Sequence, residues 1–96
     1  MPYNKYKTIF IPSMDGVILD DGILYMIPHY NCAIHNCMCG CKEKVVTPLN
    51  DCNDNTRHHW DWSFDGKNVS LTPSVGNFHQ QCKSHYYLKN GKVHWC

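Results

Sequence analysis

"HYYLKNGKVHW", residues 85–95, decides how this 96-residue chain folds. Asn90-Gly91 is the strongest short hairpin signal, because both central positions of a type I′ turn need a positive φ. A two-residue turn there pairs Lys89 with Lys92, Leu88 with Val93, Tyr87 with His94 and Tyr86 with Trp95. Side chains alternate along a strand. Tyr86, Leu88, Val93 and Trp95 therefore share one face and build core, while His85, Tyr87 and His94 share the other. By this parity His85 points away from the main core.

The same logic extends upstream. "HWDWSF" (59–64) puts Trp60, Trp62 and Phe64 on one face and Asp61 and Ser63 on the other. Asp65-Gly66-Lys67-Asn68 is its turn, and "VSLT" (69–72) returns with Val69 and Leu71 on one face. "KYKTIFI" (5–11), "ILYMI" (23–27, after the turn Asp20-Asp21-Gly22) and "EKVVT" (43–47) are further strands, each ended by a proline. "LNDCNDNTR" (49–57) reads as a polar loop. Long amphipathic helical periods are absent. The expected fold is all-β with minimal helix: one small antiparallel domain over 1–96, built from hairpins. A chain this short buries only about 60–65% of its unfolded surface, so a covalent or metal staple would help it.

Composition excludes several function classes. The net charge is +1 and the nine Lys and Arg are scattered along the sequence, so nothing argues for nucleic acid or an anionic membrane. No apolar run is long enough to span a bilayer, and "MPYNKYKTIFIPSMDG" lacks the apolar core and cleavage site of a signal peptide. A cytoplasmic location is expected. There thiols stay reduced, and the odd number of cysteines, seven, suits a full disulfide framework poorly.

"NCMCGC" (36–41) then reads as part of a metal site. Zinc takes about four N or S ligands in a tetrahedron. Cys37, Cys39 and Cys41 are too spread on a straight strand, but Gly40 permits a bend that gathers their sulfurs. The fourth ligand comes from Cys82, His35, His85 or Cys52. Cys82 is attractive because it adjoins the last hairpin and would staple two distant segments. Cys32, Cys52 and Cys96 carry no motif and read as unpaired thiols.

Two segments are candidates for chemistry. In "LTPSVGN" (71–77), Ser74 ends a strand before Gly76-Asn77. It is either a nucleophile with backbone N–H groups after it for an oxyanion, or a serine bonded to its own turn. In "CKSHYY" (82–87), His85 is a general base, a zinc ligand or a surface histidine. Asp61, Asp65 and Asp54 are candidates to orient a histidine, and His58 and His59 read as exposed polar residues.

The order H-x-C-x-C-G-C (35–41), E-K-V-V-T-P-L (43–49), W-x-x-x-F-D-G (60–66), V-S-L-x-P-S-V-G-N (69–77), C-x-S-H-Y (82–86) and Trp95 resembles a bacterial family first catalogued as a domain of unknown function. It is encoded in phage-defence operons with ubiquitin-like proteins and their activating and conjugating enzymes, the bacterial ubiquitination-like (Bub) pathways. The resemblance runs from Ile11 to Trp95. It implies a serine-type peptidase on a zinc-stapled β scaffold, acting on the C-terminal tail of the ubiquitin-like protein to mature it or release conjugates. The ligand cysteines fall on Cys37, Cys39, Cys41 and Cys82, binding structural Zn²⁺; the serine falls on Ser74 and the histidine on His85. The chain departs from the family in carrying Lys42 where Gly is common, and in a longer segment before Trp60. Two other classes stay open: a non-catalytic zinc module that binds the ubiquitin-like protein or its conjugating enzymes, and a zinc metallohydrolase with His85 or His35 near the metal.

Overall fold

The computed structural model describes residues 3–49, 59–72, 74–76 and 83–96. Nine strands run through them: β1 (Lys7–Phe10), β2 (Ile23–Ile27), β3 (Cys32–Asn36), β4 (Lys44–Pro48), β5 (Asp61–Phe64), β6 (Val69–Thr72), β7 (Val75–Gly76), β8 (His85–Lys89) and β9 (Lys92–Trp95). A single 3-10 turn, Pro28–Tyr30, is the helical element among the described residues. The β-rich expectation therefore holds.

The strands form three sheets, ordered β1-β2-β3-β4, β5-β6 and β7-β8-β9. Both hairpins fall in the register expected from their turns. Lys89 pairs with Lys92 and Tyr86 with Trp95, across Asn90 (φ 53°) and Gly91 (φ 79°). Phe64 pairs with Val69, across a turn in which Asp65 Oδ1 accepts the Lys67 and Asn68 N–H groups at 2.9 and 2.7 Å. Those backbone donors hold the Asp65 carboxyl below its ordinary value. Asp65 is thus a turn cap.

Two features were not expected. β1 pairs with β2 in parallel, Lys7 opposite Ile23, so the fold is not purely antiparallel. The stretch 32–36 is a strand, central in its sheet, although it reads as irregular in sequence. It is buried on both faces, which removes the polar–apolar alternation by which a strand is recognised.

Ahead of β1 the chain also pairs with β9. The Tyr6 N–H donates to Gly91 O at 2.9 Å and the Val93 N–H to Asn4 O at 2.9 Å, with Lys5 opposite Lys92. Residues 4–10 thus join the C-terminal hairpin to the four-stranded sheet. Between the sheets lies a core that includes Tyr6, Leu24, Met26, Met38, Val69, Leu71, Val75, Tyr86 and Leu88. The Tyr6 hydroxyl donates to Val69 O at 2.6 Å inside it, and burial raises the pKa of that phenol. Trp95 touches Tyr86 edge-on at 5.0 Å but remains 38% exposed, so it covers the core rather than filling it.

The cysteine segment is the loop between β3 and β4. The Cys37 N–H donates to Glu43 O at 2.8 Å and the Gly40 N–H to Cys37 O at 3.1 Å. Gly40 (φ 92°) and Lys42 (φ 66°) both have left-handed backbones. That explains why Gly suits the position of Lys42. Here Lys42 bonds Asp21 at 3.0 Å, and this ammonium, with the Asn36 amide, holds the Asp21 carboxyl below its ordinary value.

The Asn90-Gly91 turn yields a direct test. A Cβ on Gly91 would lie 2.6 Å from Asn68 Nδ2, at a φ that L residues avoid. Gly91→Ala should lose about 1–2 kcal/mol in urea unfolding; an unchanged midpoint would remove the constraint assigned to this turn.

Candidate active site

Ser74 Oγ lies 2.7 Å from His85 Nε2, and both residues are half-buried. The register explains the contact. Val75 pairs with Tyr86 and Gly76 with His85. Val75 and Tyr86 are buried and face the core. By alternation Ser74, Gly76 and His85 face the other way. Gly76 stands directly across from His85, where opposed Cβ atoms would be about 5 Å apart. Because Gly76 has none, the imidazole has room to lean over it toward Ser74. The expected parity of His85 holds, and it brings together the two residues singled out in sequence.

Backbone polarity at this edge follows from the hairpin turn. The Cys96 N–H donates to His85 O at 3.0 Å, so His85 bonds toward β9. Its neighbour Tyr86 then turns its N–H and C=O toward Val75. The Val75 N–H is therefore engaged in the ladder, while the Gly76 N–H points to the outer edge. Sequence pointed to the N–H groups after Ser74 as oxyanion donors; of Val75 and Gly76, only Gly76 is turned outward. On the same side the Trp60 indole N–H donates to Ser74 O at 3.3 Å and ties the Ser74 backbone to the start of β5.

Of the acids considered for orienting a histidine, Asp65 caps its own turn. Asp61 stands opposite Thr72, two residues before Ser74. Asp54 lies outside the described residues, as does His58. His59 is half-buried, and its buried Nε2 has no hydrogen bond among the described residues, so it is not the exposed residue expected.

The Cys37, Cys39 and Cys41 sulfurs all lie within 4.8 Å of one another, with Cys37 Sγ 3.5 Å from Cys39 Sγ. Four sulfurs at a Zn–S length of about 2.3 Å would stand about 3.8 Å apart, so the spacing and the thiol donors suit zinc. Cys82 and Cys52 lie outside the described residues. Among the described residues, His35 is not part of the cluster. It is fully buried and its Nε2 bonds the Tyr86 hydroxyl at 2.8 Å. Burial lowers its pKa to about 4, which keeps the ring neutral. Cys32 is half-buried and Cys96 exposed.

Tyr86 connects the two sites. Its hydroxyl contacts His35 Nε2 and accepts the Met38 N–H at 3.3 Å, inside the cysteine loop. The residue beside His85 is thereby fastened to the loop that carries three thiols.

A family model described as bacterial ubiquitination-like system serine protease (BubE) matches residues 11–96, and the chain belongs to that family. Comparison with curated proteins and with solved structures finds no match. Among the described residues, no helix is long and apolar enough to cross a membrane.

Two substitutions separate positioning from stability. Gly76→Val, which suits a strand, should leave the melting temperature nearly unchanged while turnover falls about 10²-fold through displacement of His85; equal turnover would show that the imidazole does not need that space. Tyr86→Phe leaves His35 and the Met38 N–H without the hydroxyl and should cost about 1–3 kcal/mol in denaturant unfolding.

Proposed function

We propose that this member of the BubE family cleaves the bond at the C-terminal tail of a ubiquitin-like protein, maturing it or releasing its conjugates, with Ser74 as nucleophile and His85 as general base. The observation that carries the reading is the 2.7 Å contact between Ser74 Oγ and His85 Nε2 on the outward face of the β7–β8 pair. Oγ attacks the scissile carbonyl as Nε2 takes its proton. The oxyanion forms at the outer edge of β7, where the Gly76 N–H is directed. His85 returns the proton to the departing amine. Water then attacks the acyl ester as His85 takes its proton, the bond to Ser74 Oγ breaks, His85 hands that proton back to Oγ, and the freed carboxylate leaves.

Cys37, Cys39, Cys41 and Cys82 hold structural zinc in this reading. Bound by four thiolates, zinc supplies a crosslink between the β3–β4 loop and the segment entering β8. Lys83, at φ 47°, turns the chain between Cys82 and His85 in a conformation that non-glycine residues adopt under constraint. Anchoring Cys82 would provide that constraint. The activating and conjugating enzymes of the same system are further partners.

The test is a tagged fusion of the ubiquitin-like protein with a C-terminal extension. Ser74→Ala and His85→Ala should each lower cleavage about 10³-fold or more, with about one zinc per chain retained in metal analysis. Chelation should lower the melting temperature together with activity. Cleavage by Ser74→Ala at the native rate, but lost on chelation, would replace this reading with a metallohydrolase.

A further inference from the structure

The outward face that carries His85 continues along the hairpin. Tyr87 and His94 follow as a cross-strand pair, then Lys89 and Lys92. Lys92 is in turn opposite Lys5. Directly opposed residues share a face, so Lys5, Lys92 and Lys89 stand side by side across three neighbouring backbones. All three are exposed. Such like-charge neighbours repel, and among the described residues none of the three forms an ion pair; the ion pair found is Lys42–Asp21.

Concavities adjoin this row. One, of about 320 Å³, is lined by Tyr87, Lys89 and His94. A second, of about 560 Å³, receives Lys5 and Lys92 together with Lys7 and Lys67. Five of the nine basic residues of a chain with net charge +1 are thus gathered around one end of the hairpin. In sequence they are spread from position 5 to position 92. Folding concentrates them at the cost of mutual repulsion, and among the described residues the nearby acids are already engaged: Lys42 holds Asp21, and Asp65, within reach of Lys67, accepts the N–H groups of its own turn.

We propose that the Lys5–Lys92–Lys89 row and its flanking concavities dock an acidic segment of the protein substrate. The proposal rests on the peptidase reading for its occupant. Lys89 is four residues from His85 on the same face of β8, about 13 Å away at 3.3 Å per residue. A substrate with its scissile bond at Ser74 places a stretch about four extended residues away over the lysines, with Tyr87 and His94 beneath the intervening chain. Carboxylates fit better than nucleic-acid phosphates. The charge is local, the row contains no arginine fork, and the small net charge supplies little long-range attraction to a polyanion.

The experiment uses the full-length chain with Ser74→Ala and a fluorescein-labelled ten-residue polyglutamate peptide, read by anisotropy. Saturable binding is expected. It should weaken at least tenfold in the Lys89→Glu/Lys92→Glu variant, less in Lys89→Gln/Lys92→Gln, and not at all in Lys44→Glu, an exposed lysine on another sheet. Added salt should weaken it, and a polyglutamine peptide should not bind. Melting curves check that each variant folds. Binding that ignores the charge reversal, equal binding of polyglutamine, or tighter binding of a single-stranded oligonucleotide of equal charge would overturn the proposal. In fusion cleavage with an acidic flank, Lys89→Gln/Lys92→Gln should raise KM and leave kcat unchanged. Peptide binding without any cleavage would remove the peptidase reading and leave the docking site; cleavage whose KM is the same for acidic and neutral flanks would do the reverse.

Discussion

The two-residue turn at Asn90-Gly91 fixes which face each residue of the C-terminal sheet presents, and the site is assembled by that alternation. Tyr86 and Val75 go inward to the core; His85, Gly76 and Ser74 go outward. A slip of one residue in the β8–β9 register would exchange Tyr86 for His85. The buried hydroxyl would be lost from His35 and the imidazole would be sealed away from solvent. Core packing and chemistry therefore select the same register.

Tyr86 links the cysteine loop to the Ser74–His85 pair without belonging to either. A single phenol fills the core, meets His35 and caps the Met38 N–H between two thiol-bearing residues. The gathered thiols on one side and the neutral, fully buried His35 on the other both reach β8 through this residue.

Both hairpins, with their registers, were legible because turn chemistry and alternation are local signals. The gathering of Cys37, Cys39 and Cys41 into a cluster that could hold a metal ion was legible from ligand type and from Gly40. The encounter of Ser74 with His85 was only partly so: each was a candidate, but the pairing of β7 with β8 links segments whose contact no local pattern encodes. The strand at 32–36 was missed because burial on both faces, with His35 and Asn36 inside, erases the expected alternation. The parallel β1–β2 pair was missed because parallel strands need a long crossover, here residues 11–22, that carries no turn signature. Lys5 and Lys92 become neighbours only through pairing across nearly the whole chain, so a count along the sequence finds the charges scattered.

That last pairing has a consequence for synthesis. Residues 4–6 are made before every strand named above, yet their partner in the sheet is β9, more than eighty residues later. Until β9 is available, the leading segment has unpaired backbone on the side that β9 later covers. Closing contacts of such large sequence separation is slow and follows the local hairpins. A chain cut short before β9 therefore lacks both the hairpin that holds His85 and the sheet neighbour of residues 4–6.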